Sequence, residues 1–119
     1  MARIVFIGGG SLVWIPTFTH DLLRAPELAG STLVLMDVDP QGLDLMGAYT
    51  RRLIEAGHGQ LEVVTTLDRD EALEGADFVV STFMAGGHKA WAEDLNIAHR
   101  YGIQHPKGMS VGPGGLLQG

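Results

Sequence analysis

The stretch Ile4-Val-Phe-Ile-Gly-Gly-Gly-Ser11 decides the fold of this chain. Its apolar, mostly β-branched first half is typical of a buried strand, and the glycines that follow permit a tight turn. After the turn, residues 13–24 carry Ile15, Phe18 and Leu22 at helical spacing, with a proline that is tolerated only in the first turn. Strand, glycine turn and helix in this order predict the start of a βαβ unit.

The rest of the chain repeats the alternation of strand and helix. We predict strands over residues 2–7, 31–36, 61–65 and 77–81, and helices over residues 13–24, 40–56, 70–73 and 89–101. Pro40 suits the first position of the second helix, with Asp39 as its N-cap. The alternation predicts an α/β fold class, a Rossmann-like parallel sheet of βαβ units that is incomplete at its C-terminal end.

Composition and charge exclude several classes of protein. With 119 residues, 45% of them hydrophobic and 18% charged, the chain has ordinary globular composition. No apolar run approaches the ~20 residues that span a bilayer and no secretory signal is recognised, so we expect a cytoplasmic protein that has no membrane partner. A net charge of −6 without a basic cluster argues against a nucleic-acid partner. Because the chain has no cysteine, it has no thiolate to act as a nucleophile or metal ligand.

The glycine turn is suited to a dinucleotide. A pyrophosphate needs close approach of the backbone and a helix N-terminus whose free N–H groups face the anion. Gly8 permits the turn, Gly10 permits the approach, and Ser11 can donate a hydroxyl hydrogen bond to a phosphate oxygen. Val13 interrupts the full three-glycine fingerprint, so the motif alone is equally compatible with a plain strand-to-helix turn.

An acid at the end of the second strand strengthens the dinucleotide interpretation. Asp37 is placed to accept hydrogen bonds from the adenosine ribose and to repel a 2′-phosphate, which favours NAD over NADP. Its alternative role, a helix N-cap, suits Asp39 better. The interval from Gly10 to Asp37 exceeds the usual ~20 residues, and an extra helical turn through Pro26 and Gly30 is expected to absorb the difference. The predicted cofactor-binding residues are Gly8, Gly9, Gly10, Ser11, Leu12, Asp37, Asp39, Met84 and Gly86.

Several motifs occur together in one order along the chain. They are Gly8-Gly-Gly-Ser11, Met36-Asp-Val-Asp-Pro40, Ala76-Asp-Phe-Val-Val80, Gly86-Gly87, Tyr101-Gly-Ile103 and Gly112-Pro-Gly-Gly115. In this combination the sequence resembles the N-terminal part of glycoside hydrolase family 4 over almost its whole length. The resemblance implies a glycosidase that uses NAD and a divalent metal, Mn²⁺, in place of the usual pair of carboxylates. It implies oxidation at sugar C3, loss of the C2 proton to a base, elimination, addition of water and return of the hydride.

The resemblance also implies which parts of the protein bind the cofactor and which carry the catalytic residues. Residues 1–119 are expected to be one NAD-binding Rossmann-like region, the truncated N-terminal part of a larger two-domain enzyme that forms homo-oligomers. The family's metal ligands and tyrosine base lie beyond residue 119, so no catalytic or metal-binding residue is expected within this chain, and the chain alone is expected to be inactive.

The resemblance also suggests part of the sugar pocket. Gly87, His88 and Trp91 are its candidate residues. Members acting on 6-phosphorylated sugars align an arginine with Trp91, and tryptophan cannot pair with a phosphate dianion. An unphosphorylated α-glucoside, α-galactoside or galacturonide is therefore favoured as substrate. Two alternatives stay open, since Trp91 is equally compatible with core packing and His88 with an exposed loop.

One departure from the family pattern lies near the C-terminal end. The family often has an acid shortly before the motif Gly112-Pro-Gly-Gly115, where this chain has Met109, which puts the usual tuning of the base in doubt. His105, Lys107 and Ser110 are the nearby polar candidates. The alternative functions are an NAD-dependent 2-hydroxy-acid dehydrogenase of the malate or lactate type and a stand-alone nucleotide-binding module.

Overall fold

A computed structural model describes residues 1–104 and divides the chain into two units, Met1–Phe83 and a second that begins at Met84. The strands of the first unit are β1 (Arg3–Ile7), β2 (Thr32–Met36), β3 (Glu62–Thr66) and β4 (Phe78–Ser81). Its helices are α1 (Trp14–Leu23), α2 (Pro40–Ala56) and α3 (Arg69–Leu73), with a 3₁₀ turn at Pro26–Leu28. The second unit contains α4 (Gly87–Arg100).

The four strands form one parallel sheet in the order β3-β2-β1-β4. The register aligns Ile7 of β1 with Met36 of β2 and with Ser81 of β4, so these three strands end level with one another. The strand order reverses beside β1, and ligands of open α/β sheets bind at such a point, outside the carboxyl ends of the strands. The predicted Rossmann-like α/β fold is confirmed.

Each face of the sheet has its own hydrophobic core. The core on the α1 and α2 face consists of Ile4, Phe6, Ile15, Leu33, Leu35, Leu43 and Met46. The core on the α3 face consists of Val5, Val34, Met36 and Ala72. Alternate residues of β1 and β2 thus point to opposite faces, and both faces are buried as expected of a parallel sheet. The rings of Phe6 and Phe18 lie 5.2 Å apart and hold α1 against the sheet.

The ends of the first-unit elements agree closely with the sequence pattern. Pro40 is the first residue of α2, and the Asp39 side chain caps the helix by accepting a hydrogen bond from the amide of Gln41 at 3.1 Å. The extra turn expected between the glycines and Asp37 is the 3₁₀ turn at Pro26–Leu28. These features let the chain return to the sheet with Asp37 beside the glycine turn.

The start of α4 differs from the prediction. The helix begins at Gly87 and not at Lys89, because Gly86 (φ 71°) and Gly87 (φ 64°) adopt left-handed backbone that turns the chain into the helix. Its last residue is Arg100, one position before the predicted end. Among the residues that the structure describes, no helix is long and apolar enough to cross a membrane.

The predictions for the C-terminal end concern residues outside the described part of the chain. They are His105, Lys107, Met109, Ser110 and the motif Gly112-Pro-Gly-Gly115. Their roles stay predictions.

Candidate dinucleotide site at the sheet edge

Three residues follow the level ends of β1, β2 and β4. They are Gly8, Asp37 and Thr82, each the first residue after its strand. The amide of Thr82 donates to the carbonyl of Ile7 at 2.8 Å, and the amide of Gly8 donates to the carbonyl of Met36 at 2.9 Å. Backbone hydrogen bonds therefore hold the start of the glycine turn between β2 and β4.

The turn itself runs from Gly8 to Ser11. The Ser11 amide donates to the Gly8 carbonyl at 3.1 Å and closes the turn. Gly8 has a φ of 101°, a conformation that L side chains rarely adopt. A Cβ atom on Gly9 would lie 2.7 Å from the Cβ of Leu35, so the middle glycine has no room for a side chain. Local conformation and packing against β2 both require glycine in this run.

Asp37 holds the turn from the β2 side. Its Oδ2 accepts from the Gly10 amide at 2.8 Å, and its Oδ1 accepts from the amides of Val38 (2.8 Å) and Asp39 (3.1 Å). A Cβ on Gly10 would lie 2.9 Å from Oδ2, so this carboxylate leaves no room for a side chain at Gly10. A carboxylate offers about four acceptor positions. The contacts within residues 1–104 use three, which leaves one on Oδ2.

The start of α1 provides hydrogen-bond donors. Ser11 Oγ accepts from the amide of Trp14 at 3.2 Å, which leaves its hydroxyl hydrogen for another acceptor. Within residues 1–104, the amides of Leu12 and Val13 have no hydrogen-bond partner. These donors lie at the positive end of the α1 dipole, an arrangement that suits an anion.

Val13, which interrupts the glycine fingerprint, is not packed between α1 and the sheet. Its side chain is 69% exposed. A side chain in solvent does not separate α1 from the sheet, so the role of the fingerprint's third glycine in close helix–strand packing has no counterpart here.

Thr82 also contacts the glycine turn, a role that was not predicted from the sequence. Its half-buried Oγ1 lies 3.0 Å from the carbonyl oxygen of Gly8 and 3.3 Å from that of Ile7, and its single hydroxyl hydrogen is shared between these acceptors, of which Gly8 is the nearer. A Cβ on Gly8 would lie 2.7 Å from this hydroxyl oxygen. The available signal was position, because Thr82 directly follows β4 as Asp37 follows β2.

The other predicted site residues belong to the second unit. Gly86 is the N-cap of α4, Gly87 and His88 lie in its first turn, and Trp91 lies one turn later. The ring centroids of His88 and Trp91 are 6.2 Å apart. The structure therefore places His88, which is exposed, on a helix and not in a loop, with its ring beside that of Trp91. Met84 is the first residue of this unit, and its cofactor role, like that of Gly86, stays a prediction.

Comparison with known proteins shows where similar sequences occur. Residues 3–119 match a family model described as family 4 glycosyl hydrolase. An alpha-galactosidase of Rhizobium meliloti (strain 1021) is 33% identical over 117 residues, which are 98% of this chain and 24% of that protein. An alpha-galacturonidase of Lachnoclostridium phytofermentans is 34% identical over 120 residues, 98% of this chain and 25% of that protein. The chain thus spans about a quarter of the length of these relatives.

Solved structures share the fold. The 6-phospho-beta glucosidase from Thermotoga maritima, determined with manganese, NAD⁺ and glucose-6-phosphate, has a TM-score of 0.82 and 26% identity, covering 97% of this chain and 27% of that one. A 6-phospho-alpha-glucosidase from gut microorganisms, in complex with NAD and Mn²⁺, has a TM-score of 0.80 and 27% identity over 97% of this chain and 26% of that one. The similarity extends over nearly all of this chain.

Proposed function

Because this chain belongs to glycosyl hydrolase family 4, we propose that it is the NAD-binding N-terminal region of a glycosidase that hydrolyses O-glycosidic bonds. The proposed chemistry is transient oxidation at C3 of the sugar followed by elimination. Relatives named for galactosides and galacturonides, and neighbours solved with NAD, support this proposal. The same match favours it over a malate- or lactate-type dehydrogenase.

The geometry of the glycine turn is the observation that carries the proposal. The Leu12 and Val13 amides and the Ser11 hydroxyl lie at the N-terminus of α1, where they bind the pyrophosphate. The remaining acceptor position of Asp37 Oδ2 takes a hydroxyl of the adenosine ribose. When bound, NAD⁺ supplies the hydride acceptor for oxidation of the sugar.

Two carboxylates at the end of β2 support a preference for NAD over NADP. Asp37 contacts the ribose, and its charge opposes a phosphate on the 2′ oxygen. Asp39 is exposed and its Oδ1 caps α2, so it adds a second negative charge at this end of β2. A direct contact of Asp39 with the cofactor stays a prediction.

The sugar side of the proposal rests on the second unit. Gly87, His88 and Trp91 form part of the pocket wall, with the paired rings of His88 and Trp91 beside an unphosphorylated hexose or hexuronic acid. Within residues 1–104, no group of three or more His, Asp or Glu side chains is arranged to hold a metal ion. We propose that the metal ligands and the base lie elsewhere in the protein.

Substitution of Asp37 tests the cofactor site. Asp37→Ala removes the ribose acceptor and the bond to Gly10, so NAD binding should weaken by about 1–3 kcal/mol, roughly 5- to 160-fold in Kd. The measurement is isothermal titration of NAD into the complete gene product. Asp44→Ala, a change of the same type at an exposed α2 position, is the matched control and should leave Kd unchanged. Equal affinities of the Asp37 variant and the parent would remove Asp37 from the site.

An activity assay tests the enzyme. The complete gene product should cleave nitrophenyl α-glucosides, α-galactosides or α-galacturonides in preference to their 6-phosphorylated counterparts, and only with NAD and Mn²⁺ present. Hydrolysis that persists after both are removed would contradict the proposed chemistry.

Light scattering on the same sample should show the expected homo-oligomer.

A further inference from the structure

We propose that Thr82 is a positioning residue of the dinucleotide site, acting on the bound pyrophosphate through the glycine turn. The inference rests on the proposed NAD site and adds a residue to it. Thr82 is not one of the predicted donors. It lies on the opposite side of the turn from Asp37, at the end of β4.

The argument begins with the peptide group that joins Gly8 to Gly9. Its carbonyl oxygen accepts from Thr82 Oγ1 at 3.0 Å and from the Ser11 amide at 3.1 Å. Its N–H group, on Gly9, donates to the carbonyl of Met36 at 2.7 Å. A peptide group is planar, so bonds at its oxygen and its nitrogen together prevent rotation about its long axis. Thr82 supplies the only side-chain bond to this peptide within residues 1–104.

The need for such a bond follows from the composition of the turn. Three consecutive glycines have the greatest backbone freedom of any tripeptide, and this freedom opposes binding when a ligand must order the turn. Asp37 restrains the third glycine through the Gly10 amide. Thr82 restrains the first through the Gly8 carbonyl, and the closing bond from Ser11 depends on the orientation of that same carbonyl. Both restraints prepare the donors that follow the turn, which raises affinity without a direct contact to the ligand.

The chemistry of the side chain defines the variants. Valine has nearly the shape of threonine but lacks the hydroxyl, whereas serine keeps the hydroxyl and loses the methyl group. Thr82→Val should therefore release the Gly8 carbonyl, and Thr82→Ser should retain the bond. If the role of Thr82 were purely steric, Thr82→Ser would weaken binding and Thr82→Val would not.

The test compares binding of the whole cofactor with binding of its fragments. The complete gene product and its variants are titrated with NAD, ADP-ribose and adenosine, using ligand-observed NMR for the weakly bound adenosine. Thr82→Val should raise the Kd of NAD and ADP-ribose about three- to tenfold, the effect of one net hydrogen bond. The Kd of adenosine, which has no pyrophosphate, should change less than twofold. Thr82→Ser should bind NAD and ADP-ribose about as tightly as the parent does.

Thr19→Val is the matched control, since it removes a bond from a threonine hydroxyl to a backbone carbonyl, that of Ile15 at 2.7 Å, in the body of α1. This variant should leave the Kd values of NAD, ADP-ribose and adenosine unchanged. An unchanged NAD constant in Thr82→Val, or equal weakening of NAD and adenosine, would overturn the role of Thr82 while the NAD site stands. Failure of the unaltered protein to bind NAD would instead overturn the proposed function.

Discussion

Two buried threonines differ in how their hydroxyl groups are satisfied. Thr19 Oγ1 donates to the carbonyl of Ile15, whereas Thr50 Oγ1, on α2, has no partner within residues 1–104. Both residues are almost completely buried. A buried hydroxyl without a partner carries a desolvation cost of about 1–3 kcal/mol, while a satisfied one contributes about 1 kcal/mol net.

Replacement by valine should therefore have opposite effects at these two positions. Thr50→Val should raise the free energy of unfolding by about 1 kcal/mol, and Thr19→Val should lower it by about the same amount. Urea unfolding of both variants and the parent measures the two changes. A Thr50→Val protein less stable than the parent would mean that its hydroxyl has a partner in solution.

Sequence reasoning placed Asp37 beside the glycine turn but predicted neither its contact with the turn nor that of Thr82. Asp37 was predictable because it directly follows an apolar run and an acid at that place has a known chemical use. Its bond to Gly10 was not predictable, since it depends on how β1 and β2 are aligned. The bond from Thr82 was not predictable for a related reason: its partner, Gly8, is 74 residues away in the sequence.

At the level of elements, the end of α2 is a Schellman motif. The Gly59 amide donates to the Ile54 carbonyl at 2.8 Å, and the His58 amide donates to the Glu55 carbonyl at 3.1 Å. The left-handed position of the motif belongs to His58, with a φ of 52°, and not to either neighbouring glycine. Composition alone indicated the end of the helix but not which residue carries the strain.

Relief of this strain is testable. His58→Gly should raise the free energy of unfolding by about 0.5–1 kcal/mol, because glycine adopts positive φ without steric cost. His58→Val should lower it, because a β-branched residue is disfavoured in this conformation. Thermal unfolding ranks the three proteins. The melting temperature should rise from His58→Val through the parent to His58→Gly, and any other order would contradict the assigned backbone conformation.

For the molecule as a whole, β4 is an exposed part of the sheet. Among the residues described, β4 pairs with β1 alone, and Phe78 and Val79 are 60% and 52% exposed. An unpaired, apolar strand edge is a template for association with another chain. We therefore expect residues 1–119, expressed alone, to self-associate.

A charge on this edge should reduce the association. Phe78→Lys is expected to shift the isolated chain toward monomer in size-exclusion chromatography with light scattering, because edge lysines oppose strand pairing. Leu45→Lys, at a similarly exposed position on α2 (59%), is the matched control and should leave the association unchanged. Equal shifts in both variants would assign the effect to net charge and not to the β4 edge.

Local patterns in the sequence were sufficient for the order of strands and helices, the N-cap of α2 and the placement of a glycine turn before α1. These features depend on residues within one or two turns of each other, so periodicity and capping preferences express them directly. The strand order, the level ends of β1, β2 and β4, and the bonds from Asp37 and Thr82 to the turn arose only in the tertiary structure. Those contacts join segments far apart in the chain, and their geometry depends on which strands become neighbours, which the pattern within one segment does not specify.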